Sequence, residues 1–202
     1  MSTPAAERLR ELAASIARLG HTPVSLLTGG DAVEPGRHYP DGDMYDCGSY
    51  AQAYFHVHRA GEHGHLHLFQ RPKGMAVGLV PAVPTTEADA PCHLVAVGFG
   101  ADGWPDELFT TNRWVTGEAW YDAGAVAVML PMFRLMMDGR LATVAAWVTA
   151  LVNAHRPAIV RLARDRDAAV ADWACRHPDR SAHEDAGLEV TSCLRLGEAS
   201  AN

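Results

Sequence analysis

The 202-residue chain has no Cys-x-x-Cys pair, no long apolar run and no excess of basic charge. Each absence removes a class of function. Four cysteines that lie far apart, Cys47, Cys92, Cys175 and Cys193, exclude a zinc knuckle and a dithiol redox motif, and read as buried thiols rather than a disulfide framework. Without about 18 consecutive apolar residues there is no membrane-spanning helix to expect. The start of the chain lacks the basic-then-apolar pattern of an export signal, so the expected setting is cytoplasmic, with no membrane partner. A formal charge of −7 leaves no clustered Lys and Arg to neutralise phosphates, which argues against nucleic acid as a partner. Internal repeats are also lacking.

What is present is ordinary for a globular chain: 48% hydrophobic and 20% charged residues, enough to bury a core that offsets chain entropy. No long linker divides it, and one domain over residues 1–202 is the expectation. Thr3 and Pro4 supply an N-cap and first-turn pair, Leu9, Leu12, Ile16 and Leu19 follow at helical spacing, and Gly20 stops the run, which predicts an amphipathic helix over 1–20. Residues 29–48, rich in Gly, Pro and Asp, read as an ordered loop. An antiparallel sheet is predicted over 50–115: Tyr50 to Arg59 and His65 to Arg71 around an Ala60-Gly61-Glu62 turn, then Met75 to Val80, His93 to Phe99, and Glu107 to Val115 after an Asp102-Gly103 turn.

A helical part is predicted over 125–186, as Ala125 to Met137, Leu141 to Ala154 and Pro157 to Cys175, with Pro131 interrupting or opening the first. Alternation of Leu188, Val190, Ser192, Leu194 and Leu196 predicts a late strand over 188–196 that returns to the sheet. The Glu and Ser tail after residue 197 reads as frayed. Strands first and helices second give an α+β class: a mainly antiparallel β-sheet carrying a His-rich hairpin, packed with an N-terminal helix and a C-terminal helical half.

Five of the eleven histidines fall within twelve residues, His56, His58, His63, His65 and His67. Alternate strand residues share a face, so His56 and His58 point one way, and so do His63, His65 and His67. A hairpin that sets His58 opposite His65 and His56 opposite His67 brings four imidazoles to one side, with opposed Cβ atoms about 5 Å apart. Residues four apart along one strand are separated by about 13 Å, so a cross-strand set is the preferred metal site. Imidazole suits Fe, Cu, Ni or Zn, and Glu62 would add a carboxylate of the kind found in non-haem iron centres. His93, opening its own strand, is a sixth candidate ligand.

Three resemblances bear on function. His56-x-His58-x-x-x-Glu62 resembles the first metal motif of cupins, barrels that bind iron, manganese, nickel or zinc, over about fifteen residues and without their second motif. His63-Gly64-His65-Leu66-His67-Leu68-Phe69 resembles the pattern of the histidine-triad nucleotide hydrolases and transferases, which implies His65 as nucleophile on an α-phosphorus, His63 and His67 positioning it, and Arg71 balancing charge. RHYPDGDMYD, HVHRAGEHGHLHLFQRP and LFTTNRWVTGE together resemble motifs of an uncharacterised family of small bacterial proteins over residues 37–121, a likeness that implies no activity.

Around the cluster, Arg113 reads as a bidentate clamp for an anionic group, with Asn112 and Trp114 beside it as pocket wall. His38, Tyr39, Asp43, Tyr45 and Asp46 read as a lid or orienting outer layer, Tyr39 as a substrate contact. Met129, Met132, Met136 and Met137 read as core filling, and His155, His177 and His183 as helix-end residues. The leading expectation is a metal-dependent enzyme with one His-ligated ion, Fe, Cu or Zn, held by the five clustered histidines. Glu62, His65 and Arg113 would act in oxidative chemistry on a small polar or anionic metabolite, or in hydrolysis or lyase chemistry if the ion is zinc. The alternatives are the histidine-triad-like nucleotide enzyme and a non-catalytic metal carrier or sensor. A homodimer stays open.

Overall fold

The computed structural model describes residues 3–197; the tail expected to fray lies outside them. Helix α1 (Pro4–Arg18) begins where the Thr3 hydroxyl accepts a hydrogen bond from the Ala6 N–H at 3.2 Å, and it buries Leu12 and Ile16. A short α2 (Pro23–Thr28) follows, opened by a reciprocal Thr22–Ser25 capping box and ended at Gly29. Six strands then form one sheet in chain order, every neighbouring pair antiparallel: β1 (Tyr39–Tyr45), β2 (Ala51–His56), β3 (His65–Gln70), β4 (Cys92–Phe99), β5 (Pro105–Thr111) and β6 (Val190–Arg195). Between β5 and β6 lie α3 (Arg113–Thr116), α4 (Ala123–Met129) and the 35-residue α5 (Ala142–Arg176). The α+β class, with an N-terminal helix, a helical second half and a His-bearing antiparallel sheet, is as expected.

Strand pairing assigns the two faces. Phe55, Leu66, Val97, Leu108 and Leu194 stand opposite one another in series. They share one hydrophobic core with Leu12 and Ile16 of α1 and Trp147, Val148, Leu151, Ile159 and Leu162 of α5. The helices therefore cover this face. The other face carries Tyr54, His67, Ala96 and Phe109 in one row and His56, His65, Gly98 and Glu107 in the next. The β4 residues beside two of the imidazoles are the small Ala96 and Gly98; a Cβ on Gly98 would come within 2.6 Å of the Glu107 side chain, so Gly98 makes room for Glu107.

Several expectations are corrected. The chain over 29–48 is not all loop: Tyr39–Tyr45 pairs with β2 as an edge strand, its register irregular between Tyr39 and Met44. Met75 to Val80 is no strand but a bend and turn in which Val77 and Val80 are exposed; its apolar residues have no neighbouring strand to cover them. β5 ends at Thr111 because Asn112 caps α3, whose exit turn at Gly117 has φ 62°. The first predicted helix stops at Met129, with Pro131 in a following 3-10 turn, so Met132 and Met136 are exposed rather than core. The two later helices are one: α5 runs through Pro157 because its buried stripe continues on both sides, from Trp147 and Leu151 to Ile159 and Leu162. His155 consequently lies inside a helix. On β6 an irregular register at Thr110/Thr111 turns Val190 outward to 51% exposure. All four cysteines are free and only Cys92 is buried.

Candidate metal centre

The hairpin β2–β3 pairs His56 with His65 and Tyr54 with His67, two residues out of step with the expected His56–His67 pairing. The reason lies in the connection. β2 ends at His56, and the Glu62 carboxylate folds back to accept from the backbone N–H groups of His58 (2.9 Å) and Arg59 (3.2 Å). His58 thereby leaves the ladder. Gly64 (φ 77°) lets the chain re-enter β3 directly against Phe55, where a Cβ would fall 2.5 Å from the ring.

A two-residue slip preserves the face, so the imidazoles still converge. Ligand nitrogens of His56, His65 and His67 lie within 4.8 Å of one another. His56 Nε2 and His65 Nε2 are 2.8 Å apart, sharing one hydrogen. Two nitrogens bound to a tetrahedral ion at 2.0–2.1 Å stand about 3.3 Å apart, so small ring rotations convert the trio to a ligand set. His58 adds a fourth nitrogen from the exposed rim, its Nε2 3.4 Å from His65 Nε2. His63 is exposed in the connection, outside the ring contacts of the cluster.

Burial keeps the rings neutral, with their lone pairs available. Desolvation, helped by neighbouring imidazoles, lowers His56 to about 4 and His65 to about 3. The same causes hold the almost wholly buried His67 well below its usual range. Behind the trio, His67 Nδ1 is 3.1 Å from His93 Nε2, and His93 Nδ1 is 3.4 Å from the Thr111 hydroxyl. The His93 backbone N–H donates to Glu118, a carboxyl wholly out of solvent whose second oxygen has no partner among the described residues. Burial raises Glu118 to about 8 against the pull of Arg166.

The remaining expected residues scatter. His38 does roof the cluster, stacked on Tyr54 at 3.7 Å with its Nδ1 3.2 Å from Asp43, and Gln52 Nε2 donates to Asp43 at 2.6 Å. Tyr39 is on the helix side, its hydroxyl accepting from the Glu34 N–H at 2.9 Å. Asp46 pins a turn through the N–H groups of Gly48 and Ser49 and that of Met136. Glu62 caps the hairpin connection. Arg113 pairs with Glu184, Asn112 Nδ2 donates to the Ala182 carbonyl at 2.7 Å, and Trp114 Nε1 donates to the Leu188 carbonyl at 2.9 Å. These three tie α3 to the segment before β6, and the charge of Arg113 is directed at the carboxyls of Glu184 and Glu118. Sequence reasoning passed over Tyr54, Thr111 and Glu118. Only alternation could have found Tyr54, two residues before His56 on the same face.

Fold and site together define an α+β protein with a candidate trihistidine metal site on the face of an antiparallel sheet opposite its main hydrophobic core. The chain belongs to the family described as Domain of unknown function (DUF6969), whose model matches residues 3–196. No curated protein and no solved structure matches it. The likenesses to the cupin metal motif and to the histidine-triad hydrolases thus find no counterpart. No helix among the described residues is long and apolar enough to cross a membrane.

Proposed function

We propose that this protein is a metal-dependent enzyme holding one transition-metal ion, Fe, Cu or Zn, on His56, His65 and His67. The observation that carries the reading is the convergence of three desolvated, neutral imidazoles, one from β2 and two from β3, on a single point. Such an ion supplies Lewis-acid polarisation or, if Fe or Cu, oxidative chemistry. Three protein ligands, with His58 free to come and go at the rim, leave positions open for a substrate. The chain's own residues would shape that opening: Tyr54, held between His38 and Phe69, presents a phenol that stays protonated because burial and the carboxylates of Asp43 and Glu118 push it up to about 12. With no Arg or Lys among the groups that shift His56, His65 or His67, the ion itself would supply the positive charge that a small polar or anionic substrate meets.

Elemental analysis of untagged protein after removal of loosely held ions tests the assignment. About one equivalent of Fe, Cu or Zn, lost from the His65→Ala and His67→Ala variants, supports it. A folded protein that takes up none of these ions overturns it and moves the His65 phosphotransfer reading forward. Stoichiometric metal with all positions filled by protein would make the protein a carrier or sensor.

A further inference from the structure

The buried pair behind the site has a direction. Each neutral imidazole carries one hydrogen, so the contact from His67 Nδ1 to His93 Nε2 (3.1 Å) and that from His93 Nδ1 to Thr111 Oγ1 (3.4 Å) can be made in two ways. In one, Thr111 donates to His93 Nδ1, His93 donates from Nε2 to His67 Nδ1, and His67 keeps its hydrogen on Nε2, the ring's other nitrogen. In the other, His67 donates from Nδ1, His93 donates from Nδ1 to Thr111, and His67 Nε2 is left with a bare lone pair. Both rings are about 1% exposed and Thr111 is 3% exposed, so bulk water offers them no substitute partner. The His93 backbone is itself fixed, its N–H held by Glu118.

We propose that His93 and Thr111 are positioning residues for the metal centre: they hold the hydrogen of His67 on Nδ1 and so present Nε2 to the ion. This deepens the metal assignment above and rests on it. Neither residue touches the ion. An imidazole ligand is set by what its other nitrogen donates to, and here that acceptor is a second imidazole ending on a hydroxyl. Each ring keeps one proton in either arrangement, so loading shifts hydrogens within the pair and releases none from it. The Tyr54 and Phe69 rings pack against the His67 ring, and the polar partner of its Nδ1 is His93.

Two measurements on the full chain with zinc as the probe decide it. Long-range proton–nitrogen NMR of the zinc-loaded protein is expected to show both His67 and His93 with hydrogen on Nδ1; Nε2–H on either ring overturns the inference. Zinc titration against a competing chromophoric chelator is expected to weaken by about 10- to 100-fold in His93→Phe, to weaken in Thr111→Val, and to recover in Thr111→Ser. Wild-type affinity in Thr111→Val and His93→Phe overturns the inference while leaving the metal assignment intact. Failure of the wild-type chain to bind zinc, iron or copper overturns both. Should His93→Phe not fold, Thr111→Val and the ring-hydrogen assignment still give the answer.

Discussion

His56, His65, His67 and His93 all have depressed proton affinity because burial disfavours the imidazolium: His56 lies at about 4, His65 and His93 at about 3, and His67 well below its usual range. In the unfolded chain these rings titrate near 6.5. Below that pH the unfolded state binds more protons, so folding stability falls as pH drops from 6.5. Glu118 works the other way. Raised to about 8 from about 4.5, it binds its proton more tightly when folded, and its contribution is lost as pH rises from 4.5 through 8. Four imidazoles outweigh one carboxyl on the acid side, and Glu118 acts alone between 6.5 and 8. The metal-free protein is expected to melt highest near pH 6.5. Glu118→Gln, a neutral replacement of the same shape, should abolish the decline between pH 6.5 and 8, worth up to about 1.4 kcal/mol per pH unit, and leave the acid limb unchanged. Melting curves from pH 5 to 8 check this; an unaltered alkaline limb would show that Glu118 is ionised in the fold. At this scale the histidine spacing was informative because side-chain alternation is local, and it marked the correct face. Which rings converge was not legible: His63 and His65 are two apart in the same string, yet one is exposed in the connection and the other is central. Glu118 and Thr111 gave no local signal, since their roles exist only through contact with His93, 25 and 18 residues away.

Among the elements, the β2–β3 hairpin decides whether a site exists. Gly64 has φ 77° and Phe55 and His56 pressed against the position of a Cβ, whereas Gly61, φ 86°, has nothing within 4 Å. Gly61→Ala should therefore cost only the left-handed backbone term, about 1 kcal/mol, and keep zinc affinity. Gly64→Ala adds the displacement of Phe55 and His56, and is expected to cost about 2 kcal/mol or more and to weaken zinc binding with it. Equal effects of the two substitutions on zinc titration would break the link between this turn and the site. Helix α5 poses the complementary case. Its sequence contains Pro157, which lacks an N–H and clashes with the preceding turn, and the sequence reading starts a separate helix there. The helix persists because Trp147, Val148, Leu151, Ile159 and Leu162 form one buried stripe, and tertiary packing exceeds a local penalty of about 3 kcal/mol. Pro157→Ala should stabilise the protein by about 2 kcal/mol in denaturant unfolding, after the added freedom of the unfolded chain is subtracted. Periodicity made α1, β2, β3, β4 and the late strand legible. It missed β1, whose Tyr39-Pro40-Asp41-Gly42-Asp43 has loop composition and becomes a strand only by pairing with β2.

Taken whole, the molecule packs its helices against one face of the sheet and gathers its polar chemistry on the other, where an ion on His56, His65 and His67 would bridge β2 and β3. Anything that binds the folded state alone raises stability by mass action, about 2.7 kcal/mol at a free concentration 100 times Kd. For a chain of this size that corresponds to a melting shift of roughly 5 to 10 °C. The pH dependence of the shift distinguishes this centre from a solvated histidine patch. Ordinary exposed imidazoles protonate near 6.5 and lose metal below it. Here the folded rings titrate at about 4 and about 3, so their lone pairs remain available well into acid for as long as the fold survives. Zinc is accordingly expected to raise the melting temperature at pH 5.5 nearly as much as at pH 7.5, and to give no shift at either pH in a His56→Ala, His67→Ala double variant. Calorimetric scans with and without zinc at the two pH values test this. A shift present at pH 7.5 and absent at pH 5.5 would mean that the ion sits on exposed rings such as His58 and His63, and the trihistidine centre would have to be abandoned.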